Sequence, residues 1–365
     1  MARLGDVIEQ IRGVSYKPSD LKDTLNDNSV ILLRANNIQD GKIVLDDVLY
    51  VSKSKVNESQ YLRRGDILVC TSSGSKELVG KAAFVDEDLP AVFGAFCKVV
   101  RPKIECCKYV GHFFQSPYYR NYISAASAGA NINNLRNEHI ADLHIPLPPL
   151  DKQRKIAAVL DKVSSLIAKR RQQLDKLDDL VKSRFIEMFG DPVTNSKGLV
   201  TRKGSEFFTL TNGKFVPEEK RRDEGIPAYG GNGISWYTDE ILVTHDTIVV
   251  GRVGFQSGNV HFVTGPLWVT DNAMYISDFN KDQYDLRFLC ALMEHIDFTR
   301  FQDAGDLKKI TQKPFMQMSF IAPSIQQQKS FITFVEQVDK SKLAIQKSLE
   351  KLEILKKALM QEYFG

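Results

Sequence analysis

The sequence predicts an α+β chain with two β-rich globular domains, each followed by one long α-helix. Three observations predict it. Residues 148–190 lie on 323–365 after a gapless shift of 175 positions. Both copies of that segment carry a helical apolar stripe. The stretches ahead of them alternate short β-type runs with turn signals. A period this long is a domain duplication rather than a solenoid repeat.

The repeat sets the boundaries. Pro148-Pro149-Leu150-Asp151-Lys152-Gln153 falls on Pro323-Ser324-Ile325-Gln326-Gln327-Gln328, and Phe189-Gly190 falls on Phe364-Gly365. The expected division is a first domain over 1–148, a helix over 149–190, a second domain over 191–323 and a second helix over 324–365. In the first helix Ile156, Leu160, Val163, Ile167, Leu174, Leu177 and Val181 alternate steps of three and four, with Arg170 in the one gap. That is the seam of a coiled coil. The second copy reads Phe331, Val335, Val338, Ile345, Leu349, Leu352 and Leu359, broken at Lys342 and Lys356. Two readings fit those breaks: long cationic side chains lying at the edge of a seam, or charges that fix the register of an antiparallel helix pair. Gly190-Asp191-Pro192 ends the first helix, since proline bars its continuation.

The globular parts follow the same order twice. Ile31-Leu32-Leu33, Ile43-Val44-Leu45 and Ile67-Leu68-Val69-Cys70 are punctuated by Asp40-Gly41 and Gly65-Asp66. Gly230-Gly231-Asn232-Gly233, Thr247-Ile248-Val249-Val250 and Trp268-Val269-Thr270 play these parts in the second domain. A helical stretch follows the strands in each, over 108–126 and 284–301.

Composition narrows the class. The 365 residues are 43% hydrophobic and 26% charged, with a net charge of +4. Residues 151–190 hold ten Lys/Arg against six Asp/Glu, and 326–365 hold seven against five, so the rest of the chain is −2. Bulk charge does not mark the globular parts as nucleic-acid binders. No run of about 18 apolar residues suggests a membrane span, and Met1–Gln10 shows no secretory h-region. Five cysteines without a C-x-x-C spacing predict reduced thiols and a cytoplasmic protein.

No catalytic motif stands out. Gly41-Lys42, Gly80-Lys81 and Gly213-Lys214 lack the Ser or Thr of a phosphate-binding loop, and neither G-x-S-x-G nor H-E-x-x-H occurs. The Asn-Pro-Pro-[Phe/Tyr] motif of amino-methyltransferases is absent, and the six histidines show no metal-ligand spacing. No catalytic or metal-binding residue is therefore expected. What remains is a set of polar, basic and aromatic loop residues. In the first domain these are Arg34, Asn36, Asn37, Ser72, Ser73, Lys76, Tyr119, Arg120, Asn133, Asn134 and Arg136. In the second they are Lys214, Arg221, Arg222, Tyr229, Asn232, Trp236, Arg252, Ser257, Lys308 and Lys309. Arg and Asn can make paired hydrogen bonds to base edges, and Lys and Ser commonly meet phosphates, so the set is a candidate DNA-contact surface.

At these motifs the chain resembles the specificity subunits of Type I restriction–modification systems. The resemblance rests on Gly13-Val14-Ser15-Tyr16-Lys17-Pro18, Leu33 to Gly41, Ile145 to Gln153, Ile226 to Gly233 and Trp268 to Ala273. The second helix start, Ala322 to Gln328, lacks the second proline of the first. The resemblance implies two target recognition domains, each reading half of a split site in double-stranded DNA. It implies an antiparallel helix pair holding them apart. It implies partners: methyltransferase subunits docked on the helices and a restriction subunit. S-adenosylmethionine, ATP and Mg would then serve those partners, with no cofactor in this chain. A stand-alone DNA-modifying enzyme and a structural coiled-coil adaptor are the alternatives.

Overall fold

A computed structural model describes residues 1–75, 77–128, 134–303, 305 and 308–365, with only the backbone of residues 126–128. The chain forms two compact units. One is Met1–Gln172 with Gln346–Gly365, and the other is Gln173–Ile345. Each unit therefore combines one globular domain with half of each long helix. This departs from the boundaries read along the sequence, and the reason is the helix stripe, whose apolar side chains belong to the domain cores.

In the first unit, Ile67–Cys70 lies at the heart of an antiparallel sheet ordered Ile8–Arg12, Cys97–Pro102, Ile67–Cys70, Ala82–Phe84. All four residues of Ile67–Cys70 are buried because both faces are covered. Ile67 and Val69 share a core with Tyr109, Phe113, Ile156 and Leu160 on the helical side. Leu68 and Cys70 face Leu33, Phe93 and Val99. A second sheet runs Ala91–Phe93, Ser29–Leu33, Leu49–Ser52, Leu21–Lys22, and its first pair is parallel. The short antiparallel pair Ala2–Arg3 with His144–Ile145 closes the domain just ahead of the first long helix.

The second unit repeats this plan. Its four-stranded sheet is ordered Phe208–Asn212, Ala273–Phe279, Thr247–Gly251, Val260–Val263. Its smaller sheet places Ile226–Gly230 between Gly233–Thr238 and a parallel Trp268–Val269. Thr201–Lys203 pairs with Ser319–Ile321 ahead of the second long helix. Ile248 and Val250 face Phe185, Phe189 and Phe288, while Val249 faces Leu267 and Val269.

The long helices span Leu150–Phe189 and Ile325–Phe364, one residue inside the expected ends. Each begins on a buried glutamine. Gln153 Nε2 donates to Pro148 O, and Gln328 Nε2 donates to Pro323 O, both at 2.8 Å. The residues 175 apart continue to match upstream. Tyr109 Oη donates to Pro146 O at 2.8 Å, and Tyr284 Oη to Ile321 O at 3.2 Å. Gly190 follows the first helix with φ +73°, and its N–H bonds Ile186 O at 2.8 Å, the left-handed helix stop that glycine allows.

Within each unit the two helices run antiparallel. The first turns of one helix meet the last turns of the other: Ile156 and Leu160 share a core with Met360 and Phe364. In the other unit Phe185 and Phe189 share a core with Phe331. Phe364 packs 5.1 Å from Tyr109 and 5.8 Å from Phe113. Its counterpart Phe189 packs 5.0 Å from Phe288 and 5.8 Å from Phe331. The stripe breaks sit half-buried at the seam. Lys342 pairs with Asp178 at 2.5 Å, and Lys356 is pushed down in pKa by burial and then by Arg171. Arg171 itself pairs with Glu353 at 2.9 Å.

Ion pairs also tie each short helix to a long one. Asp161 accepts from His112 at 2.8 Å and from Lys108 at 2.9 Å. At the matching place Arg287 meets Glu336 at 3.2 Å.

The packing can be tested at both helix tails. Phe364→Ala and Phe189→Ala each remove a fully buried ring, and each should cost about 3–5 kcal/mol. Chemical denaturation monitored by hydrogen exchange should show the first loosening Met1–Gln172 and the second loosening Gln173–Ile345; unchanged midpoints would refute the anchoring role. A second prediction concerns pH. The His112 hydrogen bond, then Lys108, holds the Asp161 carboxyl down at about 2. A carboxyl depressed on folding stabilises the protein above its unfolded pKa of about 3.9, and that contribution fades as pH falls toward 2. Wild type should therefore exceed Asp161→Asn in urea midpoint at neutral pH, by a margin that shrinks between pH 4 and pH 2.

Candidate nucleic-acid interface

The strand pairings bring one set of loops together at one end of each four-stranded sheet. In the first unit that end holds the finish of Ile8–Arg12, the start of Cys97–Pro102, the finish of Ile67–Cys70 and the start of Ala82–Phe84. Glycine makes the crowding possible. A Cβ on Gly13 would stand 2.2 Å from Gly94 O, and one on Gly213 would stand 2.1 Å from Thr270 O. No side chain fits there.

The loop feet are held by the same backbone bonds in both units. Thr71 N–H donates to Phe96 O and Arg252 N–H to Asn272 O, both at 2.9 Å. Leu135 N–H donates to Thr71 O at 2.7 Å, and Ile310 N–H to Arg252 O at 2.9 Å. Ser72 bridges Asn134, and Val253 bridges Lys309. The frame is thus common, while the side chains it presents differ: Thr71 against Arg252, Phe96 against Asn272, Asn134 against Lys309.

In the second unit the frame gathers several expected residues. The turn Gly231-Asn232 packs on Gly251 and Arg252, a Cβ on Gly231 lying 3.1 Å from Gly251 Cα. Arg252 Nη1 donates to Asp271 O at 3.0 Å, which aims the guanidinium along this face. Gly254 N–H bonds Lys308 O at 2.8 Å, so exposed Lys308 and Lys309 join the same cluster. Tyr229 is half-buried on the core beneath, where burial raises its phenol pKa. Lys214 borders the cluster through its bond from N–H to Val269 O at 2.9 Å. Arg221, Arg222 and Trp236 form a separate group on the smaller sheet. Arg221 lies over the Trp236 ring at 5.2 Å, and Arg222 pairs with Asp239 at 3.0 Å.

In the first unit Ser72, Ser73, Asn134 and Arg136 lie in the loop cluster, while Lys76 and Asn133 fall outside the described residues. Arg120 positions the loop instead of facing outward: its guanidinium donates to Val79 O and Glu77 O, both at 3.2 Å. Arg34 and Asn36 spend donors on Asp47, at 3.0 and 2.9 Å.

Three expected contacts are corrected by burial. Tyr119 is a core residue, fully buried and 4.7 Å from Phe114. Asn37 is equally buried and closes its own turn, donating to Val44 O at 2.9 Å and Asp46 O at 3.0 Å. Ser257 has no exposed surface either. None of the three offers surface to a duplex.

The structure also adds residues that their type alone does not mark. Phe96 is 70% exposed and Phe255 is 90% exposed, each inside the loop cluster of its unit. An apolar ring so placed can meet a thymine methyl group. Exposed Asn272 joins them, at the position that Phe96 holds in the first unit. Among the described residues no His/Cys/Asp/Glu group is arranged to hold a metal ion, and no helix is long and apolar enough to cross a membrane.

Comparison with known proteins places this geometry. Residues 1–178 and 196–356 match the family model for the Type I restriction modification DNA specificity domain. The chain is 33% identical over 308 residues to the Type I restriction enzyme EcoKI specificity subunit of Escherichia coli K12, an overlap of 84% of this chain and 60% of that protein. It is 40% identical over 182 residues to the Type I restriction enzyme StySPI specificity subunit of Salmonella potsdam, covering 50% of this chain and 39% of that one. The chain thus spans less than two thirds of the length of either. A crystal structure of the Type I restriction–modification S subunit from M. genitalium has the same fold, with a TM-score of 0.63, 16% identity and coverage of 100% of this chain and 95% of that one.

Proposed function

Because this chain belongs to the Type I restriction–modification DNA specificity family, we propose that it is the non-catalytic DNA-reading subunit of such a complex. The observation that carries this reading is the repeated loop cluster: one backbone frame, the same end of the same sheet, and different side chains in each copy. A duplicated frame with divergent loops suits a bipartite target in which each domain reads its own half.

Within that reading, Arg252, Asn232, Asn134, Ser72 and Ser73 reach base edges, while Lys214, Lys308, Lys309 and Arg136 meet phosphates. Phe96 and Phe255 add apolar contacts. The paired helices space the half-sites, and their exposed faces dock methyltransferase subunits. S-adenosylmethionine chemistry, and any ATP- and Mg-dependent cleavage by a restriction subunit, belongs to those partners. Such a complex works in the cytoplasm, where the chromosome is.

Exchange of residues 1–148 for the first domain of another family member tests the division of labour. Site selection from a randomised duplex pool, using the chain assembled with its methyltransferase partners, should show one half-site altered and the other retained. A change in both halves would sink the independent-reading model.

The spacing role has its own test. Each helix of 40 residues spans about 60 Å at 1.5 Å per residue. Inserting four residues after Leu177 and after Leu352 lengthens each by about 6 Å. At about 3.4 Å per base pair, the selected gap should grow by one or two base pairs with both half-site sequences kept. A full-affinity complex with an unchanged gap would rule the helices out as the spacer.

A further inference from the structure

The shared frame allows the two units to be compared position by position, and one difference at the loop end is a difference of charge. In the first unit Arg12 ends the strand Ile8–Arg12 and stands directly opposite Lys98. Directly opposed residues of an antiparallel pair share a face, and like charges there repel. Lys98 is only 8% exposed. Its ammonium donates to Gln10 Oε1 at 2.9 Å and to Asn137 Oδ1, both uncharged. Gln10 Nε2 donates in turn to Asn137 O at 3.0 Å, which locks the group together. Arg136, beside Asn137, is exposed. Glu138 attracts Lys98 from a distance, yet among the described residues no ion pair involves Lys98, Arg12 or Arg136.

The second unit builds the same corner with neutral residues in place of the three cations, and with exposed Lys313 in the place of Glu138. Asn212 ends the strand Phe208–Asn212 and stands opposite Met274. Thr311 takes the place of Arg136, and Gln312 takes that of Asn137, donating to Asn212 Oδ1 at 3.3 Å. The frame therefore folds with Asn, Met and Thr at these positions and has no need of three cations. A largely buried ammonium with neutral partners is costly on its own, and an adjacent guanidinium raises that cost. An anion at this corner removes the conflict.

We propose that Arg12, Lys98 and Arg136 form a clamp for one backbone phosphodiester group of duplex DNA, present in the first unit alone. The clamp rests on the DNA-reading function above and adds to it an asymmetry: the first domain grips the backbone where the second does not. Its contacts carry no base identity, since every phosphate is alike.

The second unit supplies the variants. Lys98→Met, Arg12→Asn and Arg136→Thr each install the residue that the same frame already accommodates. The probe is a fluorescent duplex carrying the site selected from a randomised pool, titrated with the assembled complex over a series of salt concentrations. Each variant should weaken binding for all sequences alike and keep both half-site preferences. Each should also make the slope of log affinity against log salt shallower, by about 0.9 for every phosphate that is no longer neutralised. A single methylphosphonate linkage, scanned through the first half-site, should weaken wild type at one position and leave Lys98→Met unaffected there. An unchanged salt slope in variants with wild-type thermal stability would overturn the clamp, as would a weakening confined to one base pair. Should Lys98→Met fold poorly, the exposed Arg12 and Arg136 carry the same test. A wild-type complex that bound no selected duplex would instead defeat the DNA-reading function itself.

Discussion

The structure depends on one packing arrangement, the seating of a terminal helix phenylalanine in an aromatic cluster. Phe189 and Phe364 are both fully buried, and they occupy matching places against Phe288 and Phe113. Each cluster also receives the first turns of the other helix, through Phe331 in one unit and Ile156 in the other. A helix tail and a helix start that share one core must run antiparallel. The stripe then has a partner along its length, and cations such as Lys342 can lie at its edge opposite a carboxylate. The direction of the pairing is thus fixed by burial of rings, with the ion pairs as minor additions, since exposed pairs contribute little.

From those cores the order of construction runs outward. In each unit the aromatic cluster supports one face of the sheet that carries the loop cluster, and the unit's second sheet covers the other. Central strands such as Thr247–Gly251, buried along their whole length, are held from both sides. The loops at the sheet end take their position from main-chain bonds at their feet, between groups that every residue type except proline possesses. Exposed side chains such as Phe96 or Asn272 are therefore free to change without moving the frame. This separation lets the exposed loop residues change without refolding, as the proposed reading role requires.

How far the sequence revealed this depends on the kind of signal. The helices were legible to one residue because a 3.5-residue stripe, a proline-bounded start and a stop glycine are all local marks. The 175-residue shift even extends beyond the helical segments, to Tyr109 and Tyr284. The compact units were not legible, since nothing local tells which domain a helix tail will join. Residue type also failed to separate surface from interior. Tyr119 and Asn37 look like loop contacts in sequence, yet one fills a core and the other satisfies the carbonyls of its own turn. Conversely, Phe96 and Phe255 look like core residues and stand in the open.

In the proposed function, charge decides where a duplex can settle. Outside the helical segments the first domain is +1 and the second −3, so no strong domain-wide positive field is there to hold DNA. Attraction to phosphates must then be local, at positions where cations are placed and nearby carboxylates are either occupied or distant. Many surface cations fail that condition: Arg34 is matched by Asp47, Arg222 by Asp239 and Arg171 by Glu353. Lys308 and Lys309 in one unit and Arg12 and Arg136 in the other meet it, and they lie in the loop clusters at the sheet ends. In the proposed function, the unmatched cations in each loop cluster supply locally the attraction that the nearly neutral domains lack as a whole. A low net charge is therefore compatible with the proposed DNA contact, because that contact draws on the placement of single cations and not on the charge of the domain.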